Sequence, residues 1–262
     1  MTEAQRARTL ARYEQHRLSW ESNPALRALY GAWYAEIAAR LPDPTLGPFV
    51  EIGSGPGFAR SFIPGLQLSD IVRAPWHDHE ISADHLPFAA GSVGALVLFD
   101  VLHHLAAPAA FFREASRVLV GGGRIVLCEP YLSPASFPVY RWLHEEPVIL
   151  GVDPLAELTA GAADKDPFDS NQAIPTLLFD RARGRAAFGR QFPELVMGPV
   201  KRLAGLAYPA SGGFGKAPLL PMKLWKALFS IEQRLPAWAY RLIAFRLLVV
   251  VQKAADRGRG LS

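Results

Sequence analysis

The chain contains a single cysteine, Cys128, so it forms no internal disulfide and offers no cluster of thiolates for a structural zinc ion. It also lacks a long apolar run. Spanning a bilayer takes ~20 uncharged apolar residues. The strongest stretch here, Leu242 to Val251, falls well short and holds Arg246. The opening residues MTEAQRARTLARYEQHRLSW carry no apolar core of the kind found in signal peptides. These absences together point to a reducing cytoplasm. Blocks of like charge are missing too: the net charge is +4, but the arginines are scattered and are not interleaved with aromatics. This argues against a nucleic-acid partner. Glycine and proline, 22 of each, show no period, which excludes a repeat architecture.

What is present is an ordinary globular composition, half apolar and one-fifth charged, in a chain long enough for one large domain. Residues 4–40 read as helix, with Leu26, Tyr30, Trp33 and Ile37 at helical spacing and Pro42 and Pro44 as a stop. Short apolar runs at 49–52, 66–72, 79–83, 93–99 and 124–128 read as buried parallel strands. Residues 108–119 form a helix closed by Gly121, Gly122 and Gly123. Between Asp70 and His79 there is too little chain for a crossover helix, so one is expected to be missing. Past Glu129 the rhythm breaks into Pro- and aromatic-rich segments. Order returns in a helix over 222–245, interrupted at Pro236, and a β-branched run over 247–251.

The most informative segment is Val50-Glu51-Ile52-Gly53-Ser54-Gly55-Pro56-Gly57-Phe58. Glycines that follow a strand let the backbone approach a ligand where a Cβ would collide. The dinucleotide fingerprint G-x-G-x-x-G needs a small third residue for close helix–strand packing, and Phe58 stands in that place. That counts against an NAD-dependent oxidoreductase. No Gly-Lys-Ser/Thr follows, so the loop is not a P-loop either.

The loop, together with His85-Leu86-Pro87-Phe88, Gly91-Ser92-Val93, Asp100-Val101-Leu102-His103-His104-Leu105, Phe112-Arg113-Glu114 and Arg117 to Arg124, resembles the class I S-adenosylmethionine-dependent methyltransferases, in their small-molecule, type 11-like branch. The resemblance covers roughly residues 48–130. It implies an α/β fold: a doubly wound, mostly parallel seven-stranded sheet of Rossmann-like form, with an N-terminal helical cap and an insertion after the fifth strand. The whole chain would then be one domain. Helices occupy 4–41, a cofactor core 48–130, a substrate-covering insertion 131–220, and a C-terminal helix and last strand 221–252.

The implied cofactor is S-adenosyl-L-methionine. By resemblance Gly53, Ser54, Gly55 and Gly57 lie under its methionine and ribose, Glu51 near its ammonium, and Asp70 on both ribose hydroxyls. A carboxylate suits the last task because it offers two acceptor oxygens to two neighbouring donors. Ile71 covers adenine, Ser82 and Ala83 lie near the adenine amino group, and Asp100 ends the fourth strand beside the cofactor. Two positions depart from the family pattern: Ser82 stands where an acid is usual, with Asp84 displaced by two, and Gly94 replaces the acid before the fourth strand. The departures leave open a non-catalytic, methyltransferase-like binding protein.

Methyl transfer is an in-line displacement that alignment and desolvation can drive, so no acid–base pair is obligatory. The catalytic candidates are His103 and His104, at the carboxyl edge where such sheets bind ligands, with Glu129 and Tyr131 ranked behind them. No metal is expected. His77 and His79 flank Asp78 but have no third ligand nearby, and a surface role is the expectation for them. The base-methylating segment Asn/Asp-Pro-Pro-Tyr/Phe is absent. The aromatics of the insertion (Phe137, Tyr140, Trp142, Phe168, Phe179, Tyr208, Phe214) suggest a pocket for a small apolar or aromatic acceptor. The helix over 222–245 mixes Lys223, Lys226 and Arg234 with Leu224, Trp225, Leu228 and Phe229, which would suit weak peripheral membrane contact. The oligomeric state is not readable from these residues.

Overall fold

The computed structural model describes residues 1–156 and 170–255; Phe168 lies outside them. The N-terminal helical region is two helices, α1 (Glu3–Ser22) and α2 (Pro24–Ala38). A capping box opens α1, with Thr2 Oγ1 accepting from the Gln5 amide and the Gln5 side chain from the Thr2 amide. One continuous helix fails at Asn23-Pro24. Proline has no N–H to give the preceding turn, while Asn23 Oδ1 accepts from the Leu26 amide at 3.0 Å and starts α2 afresh.

The sheet contains β1 (Phe49–Ile52), β2 (Gln67–Asp70), β3 (His79–Glu80), β4 (Val93–Phe99), β5 (Leu119–Pro130), β6 (Leu195–Met197), β7 (Lys201–Leu203) and β8 (Arg246–Lys253). Its order is β3-β2-β1-β4-β5-β8-β6, with β7 also paired to β8. The first five strands are mutually parallel, and β8 runs antiparallel to β5. Every residue of β4 is buried, as a central parallel strand demands. The sheet thus has eight strands where seven were expected. The reason is local: the edge partner of β8 is interrupted at Gly198-Pro199, where proline can donate no ladder bond, leaving β6 and β7 as separate pieces.

No helix links β2 to β3, as the chain length between them required. The link folds back through His77, which is buried and not on the surface: its ring nitrogens lie 2.8 Å from the Gly55 carbonyl and 3.1 Å from the Ala74 amide. Helix α3 (Pro108–Val118) ends one residue earlier than expected, and Gly121–Gly123 lie inside the long strand β5.

Two apolar layers sandwich the sheet. One joins Phe111, Phe112 and Leu127 to Phe188 of α5 (Ala182–Gln191), with the Phe112 and Phe188 rings 4.9 Å apart. The other packs Leu26, Tyr30, Trp33 and Tyr34 of α2 on Phe99 and Phe245. Large side chains removed from water here contribute ~1.5–3 kcal/mol each. Residues 131–220 therefore do more than cover: α5, β6 and β7 belong to the sheet and its flanking layer. The segments lying over the carboxyl edge are 131–156, including α4 (Ser136–Trp142), and 170–180, where the Asn171 amide donates to the His103 carbonyl at 2.9 Å.

Several expected pocket aromatics serve as packing. Tyr140 and Phe179 are buried, Tyr208 and Phe214 meet α2 rings edge to face, and Trp142 faces solvent. After the short helix α6 (Ala207–Ala210), the C-terminal region is α7 (Met222–Glu232) and α8 (Ala237–Ile243). Trp225 of α7 points inward and donates to the Ala207 carbonyl at 2.8 Å, so it is not available to an interface. Among the described residues no helix is long and apolar enough to cross a membrane.

Candidate active site

The loop leaving β1 turns through Gly53, Gly55 and Gly57, with φ of 70°, 50° and 79°, values that disfavour any residue with a Cβ. Close approach adds a second requirement at two of them. A Cβ on Gly53 would come within 2.6 Å of Val101 Cγ2, and one on Gly57 within 2.5 Å of Trp76 Cδ1. Ser54 ties the loop to β2: its amide donates to the Ser69 carbonyl at 2.8 Å, and its hydroxyl accepts from the Ser69 amide at 3.1 Å.

Two carboxylates flank this loop. Glu51 is buried, and its Oε2 has no hydrogen-bond partner. Burial raises its carboxyl to about 8, against a lowering by Ser54, and Asp70 adds to the rise. Asp70, at the end of β2, is also buried. Its Oδ2 accepts from the Gly55 amide at 2.8 Å, and its Oδ1 accepts from the Tyr13 hydroxyl of α1 at 2.8 Å and from the Val72 amide at 3.2 Å. Trp76 lies across the same face, donating from Nε1 to the Gly55 carbonyl at 2.8 Å, with the Arg17 guanidinium 4.4 Å from its ring.

The other expected cofactor positions are dispersed around this centre. Ile71 is substantially exposed, Ala83 is buried, and the Ser82 hydroxyl donates to Asp84, the acid displaced by two positions. Asp100 adopts φ 59° at the end of β4 and is paired with Arg246 of β8. That guanidinium is 3% exposed and lies against the rings of Trp33, Phe99 and Tyr208, 4.8–5.2 Å from their centres. The Asp100 carboxylate, itself partly exposed, is thus committed to an ion pair with a buried guanidinium.

A second cluster stands beside it. His103 and Glu129 are buried, with His103 Nδ1 2.7 Å from Glu129 Oε2. The other oxygen of Glu129 accepts from the Val101 and Leu102 amides at 2.9 and 2.8 Å. On the far side, Glu146 Oε2 lies 3.4 Å from His103 Nε2, and Glu146 Oε1 lies 3.6 Å from His104 Nε2. Burial alone would lower the affinity of His103 for protons. The hydrogen bonds and charges of Glu129 and Glu146 outweigh it and raise His103 well above its ordinary value. Glu146 moves the other way: burial would raise it, yet His103 and its neighbours hold it low. Val101, whose side chain bears on Gly53, joins this cluster to the glycine loop.

Sequence reasoning reached the loop, both flanking acids and the histidine pair, but missed Tyr13, Trp76, Glu146 and Arg246. Arg246 did carry a signal, as the charge within an otherwise apolar run. Tyr13, Trp76 and Glu146 carried none, because only chain folding brings them here.

A parallel sheet with a glycine loop after its first strand, an acid ending the second and a histidine pair after the fourth is the arrangement expected of a class I S-adenosylmethionine-dependent methyltransferase domain, whose cofactor would be S-adenosyl-L-methionine. Residues 50–127 match the family model described as a methyltransferase domain. No curated protein matches the chain. Among solved structures, it is similar to an S-adenosylmethionine-dependent methyltransferase from Mesorhizobium loti, with 17% identity, 84% of this chain and 96% of that one covered, and a TM-score of 0.45. It is also similar to geranyl diphosphate methyltransferase in complex with S-adenosylmethionine (14% identity, 88% and 87% covered, TM-score 0.46). The [4+2]-cyclase SpnF is a third (13%, 86% and 81%, 0.44).

The residues present fit that cofactor. The unpartnered, buried oxygen of Glu51 would suit an ammonium group, and the two oxygens of Asp70 would suit a ribose diol. Tyr13 and Trp76 already bond Asp70 and the Gly55 carbonyl, groups that this cofactor would also use.

Proposed function

We propose that the protein transfers a methyl group from S-adenosyl-L-methionine to a small, rather apolar acceptor by in-line displacement. The cofactor supplies an electrophilic methyl group at the carboxyl edge of the sheet. Gly53, Gly55 and Gly57 support it, with Glu51 and Asp70 gripping its two polar ends. The acceptor's nucleophilic atom approaches from the side of His103 and His104. Its proton leaves to solvent, the Glu129–His103–Glu146 cluster orients the acceptor for the in-line approach, and segments 131–156 and 170–180 shield the reacting centre.

The observation that carries this reading is the buried His103–Glu129 pair, 2.7 Å apart, placed two residues beyond the Val101 that touches the first loop glycine. A buried imidazole oriented by a carboxylate is costly to maintain for structure alone. The reading of the acceptor as small rests on the covering segments and on the missing base-methylating motif.

The test has two arms. S-adenosylhomocysteine should raise the melting temperature, by ~2.7 kcal/mol of added stability at ~100 times its dissociation constant, while NAD does not. Labelled methyl should then pass to a member of a panel of phenols, hydroxylated lipids and β-keto thioesters, and His103→Gln should lose that transfer while keeping cofactor affinity. Stabilisation by NAD alone would overturn the cofactor assignment, and unchanged turnover in His103→Gln would overturn the role of the pair. A second reading, a methyltransferase-like protein that binds without turnover, is favoured by one feature: every oxygen of Asp70 already has a donor from the protein. Binding with no transfer across the panel would support it.

A further inference from the structure

Three side chains at the carboxyl edge converge as metal ligands do. His103, His104 and Glu146 each offer one ligand atom, and these atoms all lie within 4.8 Å of one another. The gap between His103 and Glu146 is 3.4 Å, and that between His104 and Glu146 is 3.6 Å. Charge-assisted hydrogen bonds close to about 2.7–2.9 Å, so Glu146 bonds His103 only at long range and His104 at longer range still, and room is left between the three groups. An ion with bonds of about 2.0–2.2 Å holds its ligand atoms roughly 3.3–3.6 Å apart, and the His103 gap, to Oε2, and the His104 gap, to Oε1, are short enough for one ion to draw both imidazoles onto this carboxylate. We propose that His103, His104 and Glu146 bind a divalent transition-metal cation, zinc in the first instance, with a fourth position open.

The surroundings are those a metal site needs. Glu129 accepts from His103 Nδ1 at 2.7 Å, which fixes the ring and leaves Nε2 to face the cluster. Gln172 Nε2 donates to Glu146, orienting the carboxylate. The loop carrying Glu146 is itself pinned: Asn171 Oδ1 accepts from the Ile149 amide, and Asn171 Nδ2 donates to the Ile149 carbonyl, both at 2.9 Å. Asp100 and Glu129 could form a second triad with His103, but their oxygens are engaged by Arg246 and by the Val101 and Leu102 amides. Two imidazoles and one carboxylate with an open position form a donor set that takes zinc, cobalt, nickel or iron over magnesium or calcium. With the cation bound, an acceptor oxygen in the fourth position would be polarised and would lose its proton to solvent more readily. That consequence rests on the methyl-transfer reading; the binding itself does not.

The test therefore uses the full-length protein free of cofactor. Chelator-treated protein is titrated with zinc by calorimetry, and the cobalt-loaded form is read by visible absorption. One equivalent of zinc should bind, and cobalt should give the intense d–d bands of a four-coordinate ion with nitrogen and oxygen ligands. His104→Ala and Glu146→Gln, at partly exposed positions, should each weaken zinc on the order of 100-fold, and Glu129→Gln by ~10–100-fold. His85→Ala, an exposed histidine elsewhere, should leave the affinity as it is. Circular dichroism verifies that each variant folds. Zinc affinity unchanged in both His104→Ala and Glu146→Gln, or a weak six-coordinate cobalt spectrum, would overturn the site. Neither result would touch the cofactor assignment, which is read separately with S-adenosylhomocysteine.

Discussion

The Tyr13 hydroxyl donates to Asp70 Oδ1 at 2.8 Å, joining the first helix to the end of the second strand across 57 residues of chain. Burial, and then the Asp70 charge, push the phenol far above its usual range, so Tyr13 serves as a donor here and never as an acid. The bond occupies an acceptor that a ribose hydroxyl would need.

Removing the competitor should therefore help the ligand. Tyr13→Phe should bind S-adenosylhomocysteine ~3–10-fold more tightly while losing ~1 kcal/mol of folding stability. Asp70→Ala should weaken binding by on the order of 2–4 kcal/mol, since each hydrogen bond to a carboxylate is worth ~1.5–3 and the two are not fully additive. Isothermal calorimetry checks both. An affinity in Tyr13→Phe equal to or weaker than wild type would show that α1 does not compete for Asp70.

Glu51 gives a pH dependence whose sign follows from its raised value. Its ordinary carboxyl value is 4.5 and the folded protein raises it to about 8. Folding therefore favours the protonated form. The contribution is fully present below the ordinary value and drains away as pH rises through the folded one. Glu51→Gln lacks this loss and should exceed wild type at pH 8 by on the order of 2–4 kcal/mol, with little difference at pH 4.5. Urea unfolding at the two pH values reads it. A Glu51→Gln stability gap that stays constant with pH would contradict the assignment.

Gly57 separates backbone freedom from close approach. Gly65 and Gly57 both hold positive φ, 77° and 79°, but a Cβ on Gly65 would meet nothing within 4 Å, whereas one on Gly57 would strike Trp76. Gly65→Ala should lose only the left-handed penalty of ~1–2 kcal/mol and keep cofactor affinity. Gly57→Ala should lose more stability and bind S-adenosylhomocysteine at least ~10-fold more weakly. Equal behaviour of the two variants would show that the Trp76 contact is without consequence.

Arg246 is the buried half of an ion pair with Asp100, whose own side chain is partly exposed. Arg246→Met should destabilise the fold by ~1–2 kcal/mol, because it removes the partner of the half-buried Asp100 carboxylate and the guanidinium that lies against Trp33, Phe99 and Tyr208. Asp100→Asn added to it should recover part of that loss, which a double-mutant cycle in urea measures. Additive losses would mean that the two charges are not coupled.

The sequence by itself determined the parallel half of the sheet, the absence of a helix between β2 and β3, the glycine loop with its flanking acids, and the histidines at the carboxyl edge. Each depends on neighbours in the chain: strands on local apolar runs, the loop on glycine's freedom at positive φ, the missing helix on chain length. Tertiary structure decided what those residues face. Tyr13 reaches Asp70, Trp76 lies over Gly57, Glu146 closes on His103 and His104, and Arg246 captures Asp100. It also split the edge strand at Gly198-Pro199 and drew β6 out of the apparent insertion into the sheet and α5 into the layer that flanks it. No periodicity encodes such contacts. They arise when distant segments share one buried volume, where each polar group must find a partner because water is excluded.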